Sequence, residues 1–137
     1  MQIVVDTGAI IGALNTRDQH FLKVGPIFRE LPKPLLTCEA VITEVLFVLR
    51  HMPRHSTTAL DLISSGILKL DYSLQDEVEQ VQALLKKYKS LPISLADACL
   101  VRMSELFDAP VFTFDSDFRI YRRRGRERIP LLGLDEN

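Results

Sequence analysis

The sequence predicts an α/β sandwich with a mainly parallel central sheet. Short strand-like apolar runs alternate with longer helix-like runs along the chain, and parallel strands need crossover connections of that kind. A length of 137 residues suits one compact domain, residues 1–137, with its own core. With 47% apolar and 26% charged residues, the composition is ordinary for a globular protein and argues against disorder.

Residues 2 to 6 read as a short buried strand, followed by a helix over about 8 to 14 that ends near Asn15. A second helix covers 19 to 30 and is stopped by Pro32 and Pro34. Leu35 to Thr37 gives a second strand, and the run from Ala40 to Leu49 a buried helix closed by Pro53. His55 to Ser64 forms a further helix ending at Gly66, and Ile67 to Leu70 a third strand. Ser73-Leu-Gln-Asp76 has capping-box spacing for a helix to about Lys89, with Leu74, Val78, Val81, Leu84 and Leu85 on its apolar side. Ser94-Leu-Ala-Asp97 repeats that spacing and opens a helix to about Phe107. Pro110 precedes a fourth strand over 111 to 114, and Ile129 to Leu132 makes a short last one.

No stretch approaches the roughly 20 apolar residues of a membrane span, and the start Met1-Gln2-Ile3 lacks the basic region of a signal peptide. A cytoplasmic protein with no membrane partner is expected. Cys38 and Cys99 lie far apart in apolar segments and read as buried free thiols rather than a disulfide or zinc site. His51 and His55 are separated by Pro53, which spoils a helical metal pair, and His20 reads as a surface or capping residue. A net charge of −1 offers no long-range attraction to nucleic acid, so any such binding must be local. One local source is the run Arg119, Arg122, Arg123, Arg124, Arg126 and Arg128, interrupted by a single acid, Glu127. Phe118 and Tyr121 beside it are available for stacking on bases, but their packing into the core is the stronger expectation.

Asp6, Glu44, Asp97 and Asp115 each end or interrupt an apolar run. Asp6 and Asp115 follow strands, and in an open parallel sheet sites form beyond the carboxyl ends of the strands. Each also has an ordinary structural reading. Asp6 suits an N-cap, Asp97 a capping-box acid and Asp115 a turn residue. Glu44 resists such a reading: Ala40, Val41, Phe47 and Val48 surround it at helical spacing, and no lysine or arginine lies within a turn. A carboxylate on an apolar face is costly unless something pairs with it. A distant salt bridge or a cation would serve. Four carboxylates converging in one cleft would repel one another unless cations neutralised them, and hard oxygen ligands suit Mg²⁺ or Mn²⁺ rather than zinc. Such a site activates water for in-line attack on a phosphodiester.

Val4-Val5-Asp6-Thr7, Thr37-Cys-Glu-Ala-Val-Ile-Thr-Glu44, Leu95-Ala-Asp97-Ala98 and Phe112-Thr-Phe-Asp115-Ser-Asp117-Phe118 together resemble the PIN-domain ribonucleases, and more narrowly the VapC-type toxins. The resemblance covers nearly the whole chain in length, order and spacing. It implies a three-layer α/β/α fold, Mg²⁺ or Mn²⁺ as cofactor, and hydrolysis of RNA to a 5′-phosphate and a 3′-hydroxyl. It also implies that Asp6, Asp97 and Asp115 hold the metal while Glu44 completes the cage or orients the attacking water. Thr7 and Thr113 match the family's hydroxyl positions, and Asp117 an accessory acid that is less regular in the family. A homodimer and a small antitoxin partner are implied as well. Phosphate contact supplies most sequence-independent affinity for nucleic acid, which makes Arg119, Arg122, Arg123 and Arg124 candidates for touching RNA. Two other readings compete. A phosphoacceptor module would want an adjacent acidic pair after the first strand, and Asp6-Thr7 supplies none. A catalytically idle PIN-like RNA- or protein-binding module would be expected to have lost a carboxylate, and all four are present.

Overall fold

The computed structural model describes residues 1–134, so the last three residues of the expected 1–137 domain lie outside the described residues. In chain order the elements are β1 (Val4–Val5), α1 (Thr7–Leu14), α2 (Phe21–Glu30), β2 (Leu35–Leu36), α3 (Glu39–Val48), α4 (Pro53–Ser64), β3 (Leu68–Lys69), α5 (Val78–Lys87), α6 (Leu95–Phe107) and β4 (Val111–Phe112). A 3-10 turn (Ser116–Arg119), the hairpin β5 (Arg122–Arg123) and β6 (Glu127–Arg128), and β7 (Leu131–Leu132) complete the chain. Five strands form one sheet in the order β3-β2-β1-β4-β7, every pair parallel, with helices flanking it in a three-layer α/β/α arrangement. No helix among the described residues is long and apolar enough to cross a membrane.

The sheet is buried on both faces, as parallel sheets are. Val4, Val5, Leu35, Val111 and Phe112 are fully enclosed. Register then sets the site. Val4 pairs with Val111 and Val5 with Phe112, so Asp6 and Thr113 leave the carboxyl edge side by side, and the Asp6 N–H donates to the Phe112 carbonyl at 2.9 Å. Strand order reverses direction beside β1, where the open-sheet rule places a binding crevice.

Two expectations are corrected. Pro53 does not close α3; it opens α4 at the first turn, where its missing N–H costs no hydrogen bond, and α3 ends at the Leu49 cap. The box at Ser73 forms, with the Asp76 N–H donating to Ser73 Oγ at 3.3 Å, but it closes only a turn, and α5 begins at Val78. The arginine run folds as a hairpin. Its reversal uses left-handed backbone at Arg124 (φ 51°) and Gly125 (φ 83°), and glycine takes that conformation without steric cost. The readings of the cysteines and of the aromatic pair hold. Cys38 and Cys99 are buried and free, while Phe118 and Tyr121 pack edge-on at 5.2 Å within the core.

Candidate active site

Asp6 does two jobs at once. As the N-cap of α1 its Oδ1 accepts from the Thr7 N–H at 2.6 Å, and its Oδ2 accepts from Thr113 Oγ1 at 2.7 Å. Thr113 is fully buried and its hydroxyl oxygen also accepts from the Asp115 N–H at 3.0 Å, so one side chain aligns both strand-end aspartates. The Asp115 carboxylate accepts from the Asp117 N–H at 2.9 Å, starting the 3-10 turn. The cap and turn readings of Asp6 and Asp115 are therefore correct, and they do not compete with a shared site, since an ionised carboxylate offers about four lone-pair positions.

The helices bring in the other two acids. Asp97 occupies the third position of α6, where its N–H donates to Ser94 Oγ at 3.0 Å, and its Oδ2 accepts from Tyr121 Oη at 3.2 Å. Glu44 on α3 accepts from Thr7 Oγ1 at 2.7 Å. Its apolar surroundings are only partly as expected: Val41 is buried, but Phe47 and Val48 are 63% and 51% exposed, so Glu44 stands at the rim of the core.

Asp6, Glu44, Asp97 and Asp115 line one cleft of about 520 Å³, together with Thr7, Gly8, Asp18, Gln19, His20, Ser94 and Phe114. Asp117 does not line it. Among the described residues none of the four carboxylates is in an ion pair. The electrostatic consequence is large. Burial pushes the Asp97 carboxyl up to about 7, with the negative charges of Asp6, Asp115 and Glu44 adding to the effect. Burial likewise pushes Asp6 up to about 6, against the lowering by its bonds from Thr113 and Thr7 and with further raising by Asp115 and Glu44.

Among the described residues no three histidine, cysteine or acidic side chains already stand as a ready-made metal cage. Asp6, Glu44 and Asp97 are each turned to a protein hydroxyl. The donor set nonetheless fits a hard divalent ion: it is all carboxylate oxygen, it is unpaired by base among the described residues, and the charges of its other members add to the raising of Asp6 and Asp97.

The arginine run lies apart from the cleft lining. Arg123 is 4% exposed and spans the hairpin to α6, donating to the Ser104 carbonyl at 3.0 Å and pairing with Asp108 at 2.8 Å and Glu127 at 3.0 Å. Its assignment as an RNA contact is thereby corrected. Arg124 pairs with Glu127 at 2.7 Å, and the Arg122 guanidinium donates to the carbonyls of Arg119, Ile120 and Tyr121. Exposed arginines at Arg126 and Arg128 escaped the shortlist.

Sequence reasoning also missed Asp18, Gln19 and His20. The chain between α1 and α2 carries them over the cleft because α1 and α2 pack closely at Gly12, where an added Cβ would stand 2.7 Å from Val24 Cγ2. Asp18 Oδ2 accepts from the His20 N–H at 2.9 Å, and the imidazole stacks on Phe114 with centroids 4.0 Å apart and planes 4° from parallel. The only local signal was an Asp two residues before His, an Asx-turn pattern.

The model of the PIN domain family matches residues 3–124. Among solved structures, the fold is similar to the toxin VapC20 of Mycobacterium tuberculosis, which cleaves the sarcin–ricin loop, with a TM-score of 0.76 and 19% identity over 85% of this chain and 92% of that one. A toxin–antitoxin complex from Klebsiella pneumoniae gives a TM-score of 0.65 at 18% identity over 84% of this chain and 88% of its own. FitAcB from Neisseria gonorrhoeae gives 0.57 at 17% identity with the same coverages. No curated protein matches the sequence.

Proposed function

The chain belongs to the PIN-domain family, and on that footing we propose that it is a Mg²⁺- or Mn²⁺-dependent endoribonuclease, the toxin of a VapBC-type toxin–antitoxin pair. The observation that carries the proposal is the convergence of Asp6, Glu44, Asp97 and Asp115 on one cleft without an ion pair among the described residues. Unpaired carboxylates in a partly dry cleft need a cation to stay ionised together.

In this reading Asp6, Asp97 and Asp115 hold the ion, and Glu44 completes the set or orients the attacking water. A bound divalent ion would supply charge neutralisation and a water of lowered pKa for in-line attack on the phosphodiester. The chain's own contribution is to fix the acids. Thr113 holds Asp6 Oδ2, Thr7 holds Glu44 Oε1, and Tyr121 holds Asp97 Oδ2. With its carboxyl raised to about 7, Asp97 must also give up a proton before it can serve as a ligand.

RNA contact is proposed for the exposed Arg126 and Arg128, with Arg122 and Arg124, which are already engaged, and the partly buried Arg119 as weaker candidates. A small antitoxin and a homodimer remain part of the proposal. The toxin–antitoxin complex among the structural neighbours supports the first, and the exposed apolar side chains Leu22, Phe47 and Val48 support a protein-covered surface.

The test is cleavage of RNA by purified protein with Mg²⁺ or Mn²⁺ against a chelated control, alongside Asp6→Asn and Asp97→Asn. Metal-dependent cleavage that both substitutions abolish, with circular dichroism unchanged, is expected. Cleavage that survives in Asp97→Asn overturns the site, and no cleavage with either metal supports a catalytically idle binding module instead.

A further inference from the structure

His20 and Phe114 are two partly buried aromatic rings that line the cleft and stack with centroids 4.0 Å apart and planes 4° from parallel. The imidazole is not engaged as a helix cap: His20 is the N-cap residue of α2, yet its side chain makes no capping bond. Its backbone is held by the Asp18 carboxylate, which accepts the main-chain N–H of His20 at 2.9 Å, and its ring by the stack on Phe114. Phe114 is fixed just as firmly. It sits between Thr113, which holds Asp6, and Asp115, so its ring is one residue from a buried anchor and one from a cleft acid.

We propose that the His20–Phe114 pair is a stacking surface for one nucleobase of the RNA strand, next to the phosphate that lies against the four carboxylates. The proposal rests on the ribonuclease reading given above and names how the same cleft selects single-stranded substrate. Three features carry it. His20 is only partly buried and lines the cleft with its ring already stacked on Phe114, so a base entering the cleft would extend an existing stack. The cleft of about 520 Å³ falls in the range of about 300–1,000 Å³ that accommodates a small ligand such as one nucleotide. Gln19 lines the same cleft, and its amide offers both a donor and an acceptor to a base edge. The other aromatic candidates near the arginine run are consumed by the core, since Tyr121 is 1% exposed and Phe118 fully buried. Base stacking on an aromatic ring requires an unpaired, splayed base, which a duplex does not offer.

The role is binding and positioning, so it acts on KM more than on kcat. For a short single-stranded RNA, His20→Ala is expected to raise KM about tenfold, the scale of one base–aromatic stack, with kcat little changed. His20→Phe, which keeps the ring and removes both ring nitrogens, is expected to restore KM. A second readout needs no turnover: in Asp97→Asn, short RNAs carrying 2-aminopurine at successive positions are expected to show quenched fluorescence at one position, and adding His20→Ala to release it. An unchanged KM in His20→Ala, with wild-type cleavage intact, overturns the stacking surface and leaves the nuclease reading standing. Failure of His20→Phe to restore KM also overturns it, because the effect then belongs to a ring nitrogen. Wild-type protein that cleaves no RNA with either metal overturns the nuclease reading itself, and the stacking surface falls with it.

Discussion

Thr113 Oγ1 donates to Asp6 Oδ2 at 2.7 Å across 107 residues of sequence, a buried hydrogen bond that locks the end of β4 to the end of β1. The same hydroxyl accepts from the Asp115 N–H. The two strand-end acids of the cleft are thus oriented by a single side chain that itself need never touch a ligand.

Thr113→Val keeps the shape and removes the hydroxyl, leaving Asp6 Oδ2 and the Asp115 N–H without that partner. Groups that orient ligands typically cost about 10–100-fold when lost, so RNA cleavage is expected to fall by about that factor. Stability is expected to fall by about 1–3 kcal/mol, the cost of leaving a buried polar group unpaired. Denaturant melts and steady-state cleavage measure both. Wild-type values in both would show that Asp6 needs no help from Thr113.

Stability of the metal-free protein should fall as pH rises. Both Asp6 and Asp97 are raised from 3.8, to about 6 and about 7, so between those limits the folded state binds more protons than the unfolded chain. Their favourable contribution is complete below about 3.8 and is lost as pH climbs through 6 and 7. In chelator, Tm is expected to drop between pH 5 and pH 8 and to drop less in Asp97→Asn. Mn²⁺ should raise Tm at pH 8 and hardly at all at pH 5, because protons compete for the same oxygens. A Tm that rises across this window in chelator would contradict the assigned shifts.

Within the hairpin, two substitutions should part company. Arg123→Ala leaves Asp108 and Glu127 paired with Arg124 but removes the buried guanidinium and its bond to the Ser104 carbonyl, so it is expected to destabilise by about 1.5–3 kcal/mol, the scale of a hydrogen bond to a charged group. Arg126→Ala and Arg128→Ala, at exposed positions, should leave the melt unchanged within about 0.5 kcal/mol. If they touch phosphate, they weaken RNA binding and flatten its salt dependence. Binding isotherms at several salt concentrations decide it, and an unchanged slope removes both from the interface.

Asp117→Asn is expected to retain far more cleavage than Asp97→Asn, since Asp117 stays outside the cleft lining and contributes its N–H to Asp115 through the backbone, which the substitution keeps. Equal losses in parallel assays would place Asp117 among the ligands.

Much of this was legible because the signals are local. The Ser94 box predicts α6 correctly since its bond from the Asp97 N–H lies within one helical turn, and the apolar run before Asp6 predicts a strand because every residue in it is buried. The acids could be gathered at one edge once the strands were taken as parallel, and all four do line one cleft. What failed depends on distant partners. The Ser73 box has the same local chemistry as Ser94 but closes only a turn, and α5 begins at Val78, with Val81 the residue it buries. Arg123 reads as surface charge because Asp108 and Ser104, which bury it, lie on another element. His20 looked like a capping residue because the ring it stacks on belongs to the far end of the chain. Tyr121 was rightly placed in the core, yet its hydroxyl bond to Asp97 is invisible without the fold.

The central claim is that the four carboxylates act together as one divalent-metal site. Calorimetric titration of Mn²⁺ into metal-stripped protein at pH 7.5, for the wild type and for Asp97→Asn, measures it without reference to any substrate. Saturable binding by the wild type, weakened about tenfold or more by the substitution, is the predicted result. Binding of equal strength in Asp97→Asn, or none in the wild type, would contradict it.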